Sequence, residues 1–294
     1  MYRFGQAGVH SRPEQPVTLH SSYLMSYIAM HDTLLTTMVS AAKEAGAFQM
    51  SEFRRRDPGW GDAKAAHDFV SFVDIESEGR IKSILKAALP DAAFYGEETE
   101  KERSPGYTWI VDPLDGTTNY LSGLDHFSVS IALWKGEKPL LGVIYKPVTE
   151  ELFTAEAGQG VWRNGNRLPR SRTMVCGAAL IATGTPYRSP DTVQSFYGAL
   201  DRVLKTFRDV RRWGSAALDL CYVAAGFFQG FWEVDLQPYD VAAGLLMLEE
   251  TGIPYSTFQG TVYDPFKHRS LVTGWPGVYE TLSQQVASAY GSLV

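Results

Sequence analysis

Five short apolar runs follow one another between residues 92 and 165: "AAFYGEE", "WIVD", "FSVSIALW", "LLGVIYK" and "ELFTAEAGQGVWRNG". Runs of this length, separated by turn residues such as Gly136 and Glu137, read as strands. Joined so closely, they are expected to pair as an antiparallel sheet. Two helical patterns come before them. Asp32 is placed to cap a helix with Leu34, Leu35, Met38, Val39 and Ala42 on one face. Asp74 is placed to cap a second, with Ile75, Ile81, Ile84, Leu85 and Ala88 inward and Pro90 ending it. The polar stretch between them, with Pro58, Gly59 and Gly61, reads as loop, and "FVSFVD" as a strand arm. Beyond Cys176 strands and helices alternate, from "ALIATG" to a C-terminal helix. "PYDVAAGLLMLEETG" has Pro in its first turn and Gly252 after its end. The expectation is a layered α/β sandwich: residues 31–175 as an α+β half with a helix pair and an antiparallel sheet, and 176–294 as a mixed α/β half.

Composition narrows the function. A chain of 294 residues with net charge −6 and no Lys/Arg block is not built to neutralise nucleic-acid phosphates. Residues 1–30 are too mixed for a signal peptide or a membrane span, and read as an extension or a start-site artefact ahead of Met30. Two cysteines without CxxC spacing suggest a reduced, cytoplasmic protein. No histidine pattern suits a zinc site.

Acids collect at the strand ends instead: Asp74, Glu97, Glu98, Asp112, Asp115 and Asp240. Each alone could be a cap, a turn or a solvated loop acid. Gathered in one pocket, they would repel one another unless a cation compensated. Oxygen donors without thiol or imidazole suit Mg²⁺ or Mn²⁺. In "WIVDPLDGTTNY", Pro113 keeps Asp112 extended, the turn at Leu114 frees a carbonyl for a metal, and Asp115 stands where a helix N-cap belongs. The N–H groups of Gly116 and Thr117 would then be unpaired helix-start donors for an anion.

"WIVDPLDGTTNY", "GEET" and "QPYDVAAG", with "DFVSFVD", "GQGVWRNG" and "WGSAALDLCYVAAG" between and around them, resemble the signatures of the inositol monophosphatase family over roughly residues 31–290. The resemblance implies an αβαβα fold, a lithium-sensitive homodimer and two or three Mg²⁺ ions. It assigns Glu97, Asp112 and the Leu114 carbonyl to the first ion, Asp112, Asp115 and Asp240 to the second, and Glu97 to a loosely held third. Asp74 and Thr117 would place and help activate the attacking water, so the catalytic set is Asp74, Glu97 and Thr117. Gly116 and Thr117 would hold the phosphate. Glu233 and the Gly214–Ser215–Ala216 stretch, with Asp115 and Asp240, would contact the polyol, and Lys64 matches a basic residue nearby. Direct hydrolysis without a phosphoenzyme is implied, and the expected substrate is myo-inositol monophosphate. Alternatives are the same chemistry on another sugar phosphate, such as fructose-1,6-bisphosphate, or a metal-dependent regulatory protein with little turnover. Two residues depart from the family pattern. Tyr239 stands where Trp is common and reads as a packing substitution. Asp235 stands where many members have Gly; it either alters the leaving-group pocket or faces solvent, and solvent is the favoured reading.

Overall fold

The structure is a computed structural model that describes residues 21–55, 62–65 and 68–291, with the side chains of 21–28, 62–65 and 68–70 outside that description. In chain order the elements are α1 (Ser21–Glu52), β1 (Asp62–Ala65), β2 (Asp68–Val70), α2 (Phe72–Ala88), β3 (Ala93–Gly96), β4 (Tyr107–Asp115), α3 (Thr117–Leu121), β5 (Ser128–Lys135), β6 (Lys138–Lys146), β7 (Glu151–Glu156), β8 (Gly160–Arg163) and β9 (Asn166–Arg167). The second half continues with β10 (Leu180–Thr183), α4 (Val193–Thr206), β11 (Asp209–Arg211), α5 (Ala216–Ala225), β12 (Gly230–Glu233), α6 (Pro238–Thr251), β13 (Tyr255–Ser256), β14 (Leu271–Gly274) and α7 (Tyr279–Tyr290).

Five layers result, the αβαβα sandwich expected. A sheet ordered β3-β4-β5-β6-β7-β8-β9 carries α1 and α2 on one face. Its other face is covered by α5 and α6, which also meet the second sheet, ordered β11-β10-β12-β14-β13. Helices α4 and α7 close the far side. One apolar cluster runs from Ile110 and Ala132 through Leu220 and Leu246 to Phe231, so the two halves share a core. With helices on both faces, β5 is buried from Ser128 to Trp134 and does not keep the alternation of a half-buried strand.

Most of the large sheet is antiparallel, but β3 and β4 run parallel, with Gly96 opposite Val111. This departure matters for the site. Both strands end on the same side, and Glu97 follows β3 where Asp112 follows Val111 in β4.

Three local expectations are corrected. Asp32 is not a cap; it lies inside α1, which starts at Ser21. Thr33 and Thr36 hydroxyls donate to the carbonyls of Ala29 and Asp32, four residues back, as in an uninterrupted helix. Asp74 does not cap α2 either. Ser71 is the N-cap and Asp74 the third residue of a capping box: Ser71 Oγ accepts from Val73 N–H, and Asp74 Oδ2 accepts from Ser71 N–H at 2.8 Å. Ile75 faces outward, 51% exposed, because α2 buries Val73, Ile81 and Leu85 instead. At the C-terminal ends of α5 and α6, Gly226 and Gly252 take left-handed φ values of 81° and 73°.

Candidate active site

At the carboxyl ends of β3, β4 and β12, and at the starts of α5 and α6, lies a cleft of about 280 Å³. Glu97, Asp112, Leu114, Asp115, Gly116, Thr117, Gly214, Ser215, Ala216, Glu233 and Asp240 all line it. Asp74 reaches it from α2 through Thr117, whose Oγ donates to Asp74 Oδ1 at 2.9 Å and lies 3.0 Å from the Leu114 carbonyl oxygen. The hydroxyl has one proton, so when it donates to Asp74 the Leu114 carbonyl oxygen keeps its lone pairs. Lys64 lies in β1, and its side chain is outside the described residues.

Asp112, Asp115 and Asp240 are each held through one carboxylate oxygen, by a donor nearby in sequence or across the fold. Asp112 Oδ1 accepts from Leu114 N–H at 3.0 Å. Asp240 Oδ2 accepts from Gln237 N–H at 2.6 Å, in a capping box that matches the one around Asp74. Asp115 departs from expectation. It is the last residue of β4 and caps nothing of α3; that position belongs to Gly116, whose φ of 94° turns the chain without a side-chain cap. Asp115 Oδ2 instead accepts from Ser215 Oγ at 2.5 Å and Ala217 N–H at 2.8 Å, at the first turn of α5. Ser215, buried to 1% exposure, thus holds Asp115 besides lining the cleft.

The crowding shows in the proton affinities. Burial, then the charges of Glu97, Asp115 and Asp240, push Asp112 well above the usual carboxylate range. Burial raises Asp115 to about 6, against the Ser215 and Ala217 hydrogen bonds that pull it down. Burial and the neighbouring Asp115 charge carry Asp240 to about 7. Burial and Asp240 carry Glu233 to about 8, with Arg212 opposing. Among the described residues, no three Asp, Glu, His or Cys side chains close into a ready-made metal cage. What the cleft offers is an all-oxygen donor set whose mutual repulsion Arg188, Arg212 and Lys101 offset only in part, which fits a hard divalent cation.

Several residues here escaped the sequence reading. Gln49 Nε2 donates to the Pro113 carbonyl at 2.7 Å and steadies the bulge in β4 between Asp112 and Asp115. Asn119 Nδ2 donates to the carbonyls of His126 and Trp213, tying the "DGTTN" turn to the Gly214 loop. Glu78, fully buried, accepts from Glu98 N–H and Thr99 Oγ and so orients the turn that carries Glu97. The Ser71-x-x-Asp74 and Gln237-x-x-Asp240 spacings were signals for the two capping boxes; the contacts of Gln49, Asn119 and Glu78 had none. Tyr239 is buried against Tyr95, ring centroids 6.5 Å apart, as a packing residue would be. Asp235 does not face open solvent: it lines the cleft and accepts a hydrogen bond from Ser189 Oγ, because a φ of 67° turns its side chain inward.

Comparison with known proteins identifies the family. The sequence profile of the inositol monophosphatase family matches residues 30–290. An inositol-1-monophosphatase of Rhizobium meliloti is 38% identical over 255 residues, 86% of this chain and 96% of that protein. A Nus factor SuhB of Haemophilus influenzae is 37% identical over 221 residues, 74% of this chain and 83% of its own. A fructose-1,6-bisphosphatase/inositol-1-monophosphatase of Aquifex aeolicus is 36% identical over 230 residues, 78% and 85% of the two chains. The crystal structure of the extragenic suppressor protein suhB from Bartonella henselae superposes with a TM-score of 0.82 at 37% identity, covering 86% of this chain and 98% of that one. No helix among the described residues is long and apolar enough to cross a membrane. The chain belongs to the inositol monophosphatase family and is a phosphoric monoester hydrolase.

Proposed function

We propose that this phosphatase hydrolyses myo-inositol monophosphate to inositol and phosphate, with Mg²⁺ as cofactor, working in the cytoplasm as a homodimer sensitive to Li⁺. The observation that carries the reading is the convergence of Glu97, Asp112, Asp115 and Asp240 on one cleft, with the Asp74–Thr117 pair bordering it. Glu97, Asp112 and the Leu114 carbonyl would hold one ion, and Asp112, Asp115 and Asp240 a second, with Glu97 also touching a third; Mn²⁺ would suit the same donors. Bound there, the cation would supply Lewis acidity and a water of lowered pKa.

The chain's own groups do the rest. Asp74 Oδ1 draws the Thr117 hydroxyl proton toward itself, so Thr117 Oγ turns a lone pair to the attacking water and takes its proton toward the Asp74 carboxylate. The N–H groups of Gly116 and Thr117 open α3, have no intrahelical acceptor, and receive the phosphate oxygens. Glu233 and the Gly214–Ala216 stretch, fixed by Asn119 and Asp115, hold the polyol hydroxyls beside Asp115 and Asp240. The exposed Leu124, Trp213 and Phe227, around a second cavity of about 680 Å³ behind Asn119, support the dimer.

A second reading, fructose-1,6-bisphosphate, is favoured by Arg188 and Arg212, two guanidiniums that line the same cleft and suit another phosphate. Phosphate release from inositol-1-phosphate, fructose-1,6-bisphosphate, histidinol phosphate and adenosine bisphosphate, with Mg²⁺ and with or without Li⁺, tests both. Fastest Li⁺-sensitive release from inositol-1-phosphate is expected. A preference for fructose-1,6-bisphosphate would replace the first reading by the second, and no release from any of them would favour a regulatory role.

A further inference from the structure

The segment between β10 and α4 carries Thr185, Tyr187 and Arg188 into the wall of the cleft. Both ends of this strap are tied to the exit of β12. At its start, β10 pairs in parallel with β12, Thr183 opposite Trp232, and Thr183 Oγ donates to the Trp232 carbonyl at 2.7 Å. The next residue, Gly184, lies so close to the Glu233 carboxylate that a Cβ there would collide with it. At its far end, Ser189 Oγ donates to Asp235 Oδ1.

Asp235 is an unusual choice for that second tie. Its φ of 67° is a conformation that costs an L side chain and that glycine takes freely. Its Oδ2 is buried with no hydrogen-bond partner among the described residues. A strained residue with an orphaned buried oxygen is kept only where the surrounding structure gains from it. The Asp235 carboxylate accepts from Ser189 Oγ, and the residue next to Ser189 is Arg188. The Arg188 guanidinium lies over the Tyr187 ring, 5.0 Å from its centroid, and its charge is felt at Glu233 and Asp240.

We infer that Asp235 and Ser189 form a latch that holds the 184–189 strap over the leaving-group side of the cleft, setting affinity for hydroxylated leaving groups through Arg188. The leaving-group role rests on the polyol phosphatase reading above; the latch itself does not. Asp235 is a positioning residue on this account. It acts on binding of the leaving group in ground and transition states alike, so its loss shows in KM and leaves kcat in place.

The test uses the full chain with Asp235→Gly, Ser189→Ala, Asp235→Asn and Arg188→Met. Asp235→Gly suits the backbone better than the native residue, so it keeps the fold. Amide hydrogen exchange reads the latch without substrate: residues 185–189 should exchange about tenfold faster in Asp235→Gly and Ser189→Ala, as expected for the loss of one charge-assisted hydrogen bond. Asp235→Asn retains an acceptor oxygen and should restore most of the protection. Kinetics read the consequence. In Asp235→Gly, KM for inositol-1-phosphate should rise about tenfold with kcat within about twofold, while KM for p-nitrophenyl phosphate, whose leaving group carries no further hydroxyl, stays put. Arg188→Met should show the same pattern, and the double variant should be no worse than Arg188→Met alone. Unchanged exchange overturns the latch. An equal KM rise for both phosphates, or effects that multiply in the double variant, overturns its action through Arg188. If the native chain does not hydrolyse inositol-1-phosphate at all, the substrate reading falls, and the exchange measurement still decides the latch.

Discussion

Replacing Gly116 by alanine would put a methyl carbon 3.0 Å from the His126 carbonyl oxygen, 3.2 Å from that of Gly214 and 3.3 Å from Cα of Phe127. All three are backbone atoms and cannot swing aside. The residue also sits at φ 94°, where an L side chain costs ~1–2 kcal/mol. Forcing apart well-packed backbone adds roughly 1–2 kcal/mol, so Gly116→Ala should lose about 2–4 kcal/mol of stability. For a chain of this size that corresponds to a fall in Tm of roughly 4–16 °C. The same shift moves the Gly116 and Thr117 N–H groups and the Gly214 loop on the opposite wall, and displacements of about 1 Å can cost ~10²-fold in turnover. Thermal unfolding and Mg²⁺-dependent phosphate release read the two effects. Gly79→Ala is the control: it lies within α2, its Cβ would meet nothing within 4 Å, and it should stabilise by ~1 kcal/mol. A Gly116→Ala protein with a Tm within about 2 °C of the native chain and activity within about threefold would refute the reasoning.

Thr117→Val keeps the shape and removes the hydroxyl that joins Asp74; kcat should fall by ~10²–10⁴-fold while Mg²⁺ affinity, measured by calorimetry, is little changed. Gly184→Ala should push the Glu233 carboxylate out of place and raise KM for inositol-1-phosphate by about tenfold or more, without changing Mg²⁺ affinity. Stability should also depend on pH in a cation-dependent way. Asp115, Asp240 and Glu233, raised to about 6, about 7 and about 8, hold protons in the folded chain that the unfolded chain releases near pH 4. The folded state therefore binds more protons between about pH 4 and about pH 8, and without a divalent cation stability should fall as pH rises through that window. Mg²⁺ binds the deprotonated acids, so the Tm increment it gives should be larger at about pH 8 than at about pH 5. Equal increments at the two pH values would contradict the shared-carboxylate site.

What the sequence conveyed well was local. An apolar strand ending in Asp112, Leu114 and Asp115 and followed by Gly-Thr-Thr is a pattern within one short segment, and the structure keeps those residues on one cleft. The apolar runs of α5 and α6, with their terminal glycines, are local in the same sense. Contacts between distant segments were not legible. Nothing near Asp115 announces that Ser215 and Ala217, about a hundred residues later, supply its donors. The full burial of β5 depends on helices from both ends of the chain. Nothing near Asp32 announces that a helix already runs through it from Ser21. Asp235 reads as a solvent acid until its positive φ turns it toward Ser189.

The most direct test compares Mg²⁺-dependent phosphate release from inositol-1-phosphate by the native chain and by Asp112→Asn. Asp112 is 2% exposed, hydrogen-bonded to Leu114 N–H and charge-coupled to Glu97, Asp115 and Asp240, so a carboxylate there serves both proposed cation positions. The native chain should release phosphate in a reaction that EDTA stops and Mg²⁺ restores, and a folded Asp112→Asn should release none above background. Mg²⁺-dependent turnover retained in that variant would contradict that role of Asp112.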